Sequence, residues 1–87
     1  MENLRCKNRV VGFKQVKNAI TSGKADVVYL AEDADFFIVE PLKQLCIENS
    51  KEYVSVSSRK TLAKALGIDV PTAAAATLNQ WFKTNIN

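Results

Sequence analysis

The run Asp26-Val27-Val28-Tyr29-Leu30-Ala31 constrains this chain more than any other stretch. It is nearly continuous in apolar and β-branched residues, the pattern of a strand buried on both faces of a sheet. Such a strand needs helices above and below it. The chain is therefore expected to place this strand at the centre of a sheet covered on both sides.

The flanking segments supply those layers. Arg9-Val10-Val11 reads as a short strand ended by Gly12. From Phe13 to Ser22 the apolar positions Phe13, Val16, Ala19 and Ile20 recur at the three- and four-residue spacing of one helix face, and Gly23 supplies a left-handed stop. After the acidic turn Glu32-Asp33-Ala34-Asp35, a second helix is predicted with Ile38, Leu42, Leu45 and Cys46 on one face and Pro41 in its first turn. Of the Phe36-Phe37 pair, one ring is expected to cover the core edge and the other to be exposed. Tyr53 to Ser57 is a strand, Ser57 and Ser58 offer caps for a helix over 59–66, and Gly67 ends it. Residues 73–78 have helical propensity, yet Pro71 disfavours helix just before them and alanine suits a crowded sheet interior. A strand is the better reading.

The resulting order is β-α-β-α-β-α-β, which predicts an α/β fold: a three-layer α/β/α sandwich around one mixed four-stranded sheet. Eighty-seven residues make a single domain, 1–87, small enough to need a well-made core, and a 47% apolar content can furnish one. Residues 1–8 are polar with one Leu and are expected to begin with a short helix at most. Residues 79–87, with Trp81 and Phe82, form a short amphipathic tail expected to dock on the body. No apolar run reaches the roughly 18–20 residues of a membrane span, and the first residues lack the apolar centre of a secretory signal. A soluble, cytoplasmic protein is expected, with no membrane association.

Several chemistries are disfavoured. Histidine is absent, which removes the usual general base of hydrolases and the commonest metal ligand. Cys6 and Cys46 stand forty positions apart without a CxxC, so Cys46 reads as a small hydrophobe on a helix face and Cys6 as a terminal thiol. The acidic turn lacks the glycine and distal glutamate of a calcium loop, and no nucleophile accompanies its carboxylates. The chain is read as a non-enzyme that needs no metal and no cofactor.

Three loops carry the distinctive side chains, and in open α/β sheets such loops gather at one sheet edge. The first is Gly12 with Lys14, Gln15, Lys17 and Asn18 on the helix it opens. A helix start presents free N–H groups to anionic oxygens, the lysines can neutralise phosphates, and the amides can read base edges. A merely solvated helix face fits the same spacing. The net charge of +3 is compatible with a polyanion partner. The second loop is Glu32 to Asp35, whose plain role is turn and cap. The third, Ile68 to Thr72, has apolar Ile68 and Val70 beside a rigid Pro71, and ordinary core closure accounts for it.

Taken in order, Gly12-Phe13-Lys14-Gln15, Gly23, Ala31-Glu32-Asp33-Ala34-Asp35, Ser58-Arg59-Lys60-Thr61-Leu62 and Gly67-Ile68-Asp69-Val70 before an alanine run resemble the L-seven-Ae family of kink-turn RNA-binding ribosomal proteins. The match is nearest to its small bacterial members and covers about residues 9–78. The resemblance implies an α/β/α sandwich that binds RNA duplexes sharply bent at a bulge followed by tandem sheared G·A pairs, ribosomal RNA among the possible targets; a monomer is expected. It implies that Lys14 and Gln15, opened by Gly12 and continued by Lys17 and Asn18, face the G·A pairs. It further implies that Asp35 braces that cluster, that Arg59 meets a phosphate, and that Ile68, Asp69 and Val70 wall in the bulge nucleotides. Archaeal and eukaryotic members carry Asn-Glu where this chain has Lys14-Gln15, a form the small bacterial members share. Asn18 stands where the family usually has lysine, and Lys17, about 100° round the helix, cannot reproduce that contact. A protein-interaction module on the same fold, with RNA affinity lost, is the rival: it would use Trp81 and Phe82 or the Phe36-Phe37 edge.

Overall fold

A computed structural model of the protein describes residues 8–79. The expected alternation is present: β1 (Arg9–Val11), α1 (Phe13–Thr21), β2 (Ala25–Ala31), α2 (Phe36–Glu48), β3 (Glu52–Val56), α3 (Arg59–Leu66) and β4 (Ala74–Leu78). The strands form one sheet in the order β1-β4-β2-β3. β2 and β3 run parallel, while β4 is antiparallel to both β1 and β2, so the sheet is mixed. The apolar run of β2 lies inside the sheet between β4 and β3, as its composition requires.

Alternation along the strands divides the core in two. Val28 and Leu30 of β2, with Ala74 and Ala76 of β4, meet Val16, Ala19 and Ile20 of α1 and Val39, Leu42 and Cys46 of α2. On the opposite face Val56 and Ala75 pack against Leu62 and Leu66 of α3, with Val11 and Tyr29 beside them. This is the three-layer sandwich, two helices on one face and one on the other. Ala74, Ala75 and Ala76 are each 1% exposed. Helices close on both faces of β4, and only small side chains fit there, which overrides their helical propensity.

β4 also accommodates a bulge in β2. Ala25 pairs with Leu78 and Val28 with Ala76, so Asp26 and Val27 share the single residue Thr77 as their counterpart. The buried Thr77 hydroxyl accepts from the Val27 N–H at 3.1 Å and donates to the Val27 carbonyl at 3.4 Å. One side chain thus serves both backbone groups that the bulge displaces.

Helix ends follow local chemistry. Ser58 caps α3 by accepting from the Thr61 N–H at 3.0 Å, and Gly67 ends it with φ +77°. From β1, Arg9 Nη2 donates to the Leu66 carbonyl at 3.0 Å, a cation at the negative end of α3.

α2 departs from expectation. Its start at Phe36 is set by Asp35, whose carboxylate accepts from the Phe37 N–H at 2.8 Å, so Pro41 is the sixth residue rather than one of the first turn. Pro41 cannot donate to the Phe37 carbonyl one turn back, and its position on the exposed side leaves that carbonyl to water. Val39 is buried where Ile38 was expected, and Ile38 is half-buried. Both Phe36 and Phe37 are exposed, 66% and 82%, and meet edge to face with ring centres 5.9 Å apart. An earlier helix start rotates the pair outward together, and neither ring covers the core. Cys6, the expected helix at the chain start, and the Trp81-Phe82 tail lie outside the described residues.

Candidate functional site

Because β1 and β2 are both antiparallel to β4, and β3 is parallel to β2, the ends Val11, Ala31 and Val56 share one sheet edge with the start of β4. Four loops therefore converge there, and backbone hydrogen bonds join them. Gly12 N–H donates to Ala74 O at 3.0 Å, Ala31 N–H to Ala73 O at 2.9 Å, and Glu32 N–H to Val56 O at 2.8 Å. Arg59 N–H donates to Asp33 Oδ1 at 2.8 Å, and Thr72 N–H to Arg59 O at 3.4 Å. The edge is a connected platform.

Gly12 has φ +106° and ψ 158°, a conformation essentially confined to glycine. That turn directs β1 into α1 while leaving the α1 start without a side-chain cap, whereas α2 and α3 are capped by Asp35 and Ser58. A Cβ on Gly12 would come 3.0 Å from Gln15 Oε1, so the Gln15 side chain folds back over the glycine. Lys14, Gln15, Lys17 and Asn18 are all exposed, and none makes a side-chain hydrogen bond or ion pair with a described residue. Gln15 and Asn18 face a shallow groove floored by Val10, Ala19 and Leu78. Asn18 lies about 9 Å along the axis from Gly12, so α1 extends the platform beyond the loop itself.

The other expected residues divide. Arg59 stands at the edge with its Nε 3.4 Å from Asp33 Oδ1, an exposed pair that orients the guanidinium more than it stabilises the fold. Asp35 is at the same edge, but its carboxylate serves the α2 cap and touches neither Lys14 nor Gln15. The acid that grips a basic residue is Asp33, twenty-six positions before Arg59. No local spacing announces that pairing. In the last loop Ile68 is half-buried and packs on the Leu62–Leu66 core, Asp69 is exposed, and Val70 is 70% exposed. The loop combines core closure with one free apolar side chain. No cluster of three or more His, Cys, Asp and Glu suited to a metal occurs among the described residues, and no helix among them is long and apolar enough to cross a membrane.

The α/β/α sandwich thus joins four loops in one hydrogen-bonded edge beside an uncapped helix start whose Lys14, Gln15, Lys17 and Asn18 are exposed. The chain belongs to the ribosomal protein L7Ae/L30e/S12e/Gadd45 family, whose model matches residues 2–86. It is 40% identical over 68 residues to an RNA-binding protein of Caldanaerobacter subterraneus subsp. tengcongensis, covering 78% of this chain and 83% of that one. It is 42% identical over 69 residues to an RNA-binding protein of Geobacillus kaustophilus, covering 79% and 84%. Among solved structures, the Giardia lamblia 15.5kD RNA binding protein superposes with a TM-score of 0.80 at 29% identity, over 91% of this chain and 67% of that one. A Bacillus halodurans protein of unknown function, 22% identical, shares the fold with a TM-score of 0.80 over 95% and 83% of the two chains.

Proposed function

We propose that this protein is a non-catalytic RNA-binding protein that recognises and holds kink-turn RNA, in a ribosomal or ribosome-associated setting. The observation that supports the reading most is the convergence of the Gly12, Asp33, Arg59 and Ile68–Val70 loops on one edge, beside a helix start with free backbone donors. Membership of the family and relatives named for RNA binding point the same way.

In this reading Lys14, Lys17 and Arg59 neutralise phosphates and give a salt-dependent affinity. Gln15 and Asn18 offer amides to base edges, Gly12 lets the RNA approach the backbone, and Val70 presents an apolar surface to splayed bulge bases, with Ile68 and Asp69 setting the loop's shape. Asp35 acts indirectly, fixing the start of α2 through the Phe37 amide. A free kink-turn interconverts between extended and bent forms. A protein that binds only the bent form shifts the population towards it without any reaction.

The test is titration of the protein into a doubly labelled kink-turn RNA at fixed moderate salt, reading the end-to-end distance, beside a control whose G·A pairs are replaced by Watson–Crick pairs. Bending of the first alone is the expected result. Equal weak binding of both, or of neither, refutes the reading.

One observation favours a second reading, a protein-interaction module: the exposed Phe36-Phe37 pair is an apolar patch without a cover among the described residues. Concentration-dependent association abolished by Phe37→Ser, with no RNA retained, would establish it instead.

A further inference from the structure

The loop from Gly67 to Thr72 doubles back along α3, tied at one end by Ile68 N–H to Ala63 O at 3.0 Å and at the other by Thr72 N–H to Arg59 O. Between the loop and the helix runs a groove lined by Lys60, Ala63 and Lys64 on one side and Ile68, Asp69 and Pro71 on the other. Its first lining residue, Lys60, follows Arg59 directly in α3, and the Thr72–Arg59 hydrogen bond ties the loop to the edge where the four loops meet. Its floor is apolar and its rim carries two lysines against one acid, Asp69.

Neither lysine has an ion pair or hydrogen bond with a described residue. Lys60 and Lys64 are one helical turn apart, a like-charged spacing that costs a helix stability when nothing anionic lies between. Lys60 is moreover the second residue of α3, where the helix dipole also disfavours a cation. An anion in the groove relieves both costs. About 6 Å along the axis separates the two residues, comparable to the distance between successive phosphates of a single strand. The apolar floor suits the sugars or base faces between them.

We propose that this groove is a second RNA contact: it takes the single-stranded continuation of the RNA that leaves the kink-turn edge, Lys60 and Lys64 meeting consecutive phosphates. The proposal rests on the RNA-binding reading above and extends it to the α3 face of the sandwich.

The experiment compares two RNAs, a minimal kink-turn and the same RNA with a short unpaired extension on the bulged strand, each titrated with wild type and with the Lys60→Gln/Lys64→Gln double variant. Glutamine keeps length and helical propensity, and affinity for the minimal RNA reports that the variant is folded. Wild type is expected to bind the extended RNA about fivefold more tightly, from two rim-exposed charge contacts. Its slope of log affinity against log salt should be steeper by about 1.4 on that RNA, at roughly 0.7 per single-strand phosphate. The double variant should bind the two RNAs equally, with minimal-RNA affinity unchanged. A variant that keeps the preference, a variant that weakens on both RNAs alike, or a wild type indifferent to the extension overturns the proposal while leaving kink-turn binding intact. A wild type that binds neither RNA refutes the underlying reading as well.

Discussion

Replacing Gly12 with alanine tests backbone and site together. At φ +106° and ψ 158° an L-residue is strained by about 1–3 kcal/mol, partly offset by about 0.4–1 kcal/mol from a less flexible unfolded chain. The net loss is about 1–2 kcal/mol, and at roughly 4–8 °C per kcal/mol Tm should fall by about 5–15 °C. The new Cβ, 3.0 Å from Gln15 Oε1, also pushes that side chain off the helix start. Kink-turn affinity should then drop roughly tenfold, the worth of one good base-edge contact. Gly23→Ala is the matched control: φ is +78°, nothing lies within 4 Å of its Cβ, and a lone left-handed alanine costs about 1–2 kcal/mol before the same offset. It should lower Tm less and leave RNA affinity unchanged. Urea and thermal unfolding give the first comparison and RNA titration of both folded variants the second. Equal RNA binding by the two alanine variants would refute the placement of Gln15, and a neutral Gly12→Ala would refute the strain argument.

Gln15→Ala should weaken kink-turn binding several-fold more than Lys51→Ala, a lysine between α2 and β3 and away from the loop edge, and equal effects would sink the site. Thr77→Val leaves both Val27 backbone groups of the bulge without the hydroxyl and should cost about 2–4 kcal/mol in urea unfolding, with Thr77→Ser recovering most of it; an unchanged midpoint would show that the hydroxyl is dispensable. Burial raises the Cys46 thiol above its ordinary 9.0 and the Tyr29 hydroxyl above 10.0, the latter also through Asp26 and Glu52. Both groups ionise more readily when unfolded, so their contribution is whole at neutral pH and is lost as pH rises beyond those ordinary values. The urea midpoint should therefore decline above about pH 9, and Cys46→Ala should flatten the first part of that decline; a midpoint constant through the alkaline range argues against the buried thiol and the half-buried phenol.

What could be read in advance was what adjacent residues decide. β2 declared itself by its unbroken apolar run, α3 by Ser58 and Gly67 at its ends, and β4 by the conflict between Pro71 and an alanine stretch. The loops' common edge followed from the alternation of strands and helices. Contacts between distant residues were not legible. Asp33, in the loop after β2, reaches Arg59 at the start of α3 past all of α2 and β3 in sequence, and the acidic turn alone gives no reason to choose it over Asp35. The outward turn of Phe36 and Phe37 depends on where Asp35 starts α2, a start one turn earlier than the preference of proline for a first helical turn implies. Val70 faces out and Ile68 in because the loop is anchored on Ala63 and Arg59. The lysine spacing at 60 and 64 was visible in the sequence, but the groove beside it exists only once the loop folds back.

The last of the described strands lies inside the sheet. β4 separates β1 from β2, so until residues 74–78 have been synthesised and released from the ribosome the two earlier strands have a gap between them instead of a partner. The Gly12 turn is held by the Ala74 carbonyl, which means the loop edge cannot be assembled before β4 is present. If the edge binds RNA as proposed, a nascent copy without β4 would be blind to it. On the proposed reading, competence would arrive in one step with β4, and an RNA bound at the edge would help keep that strand in place.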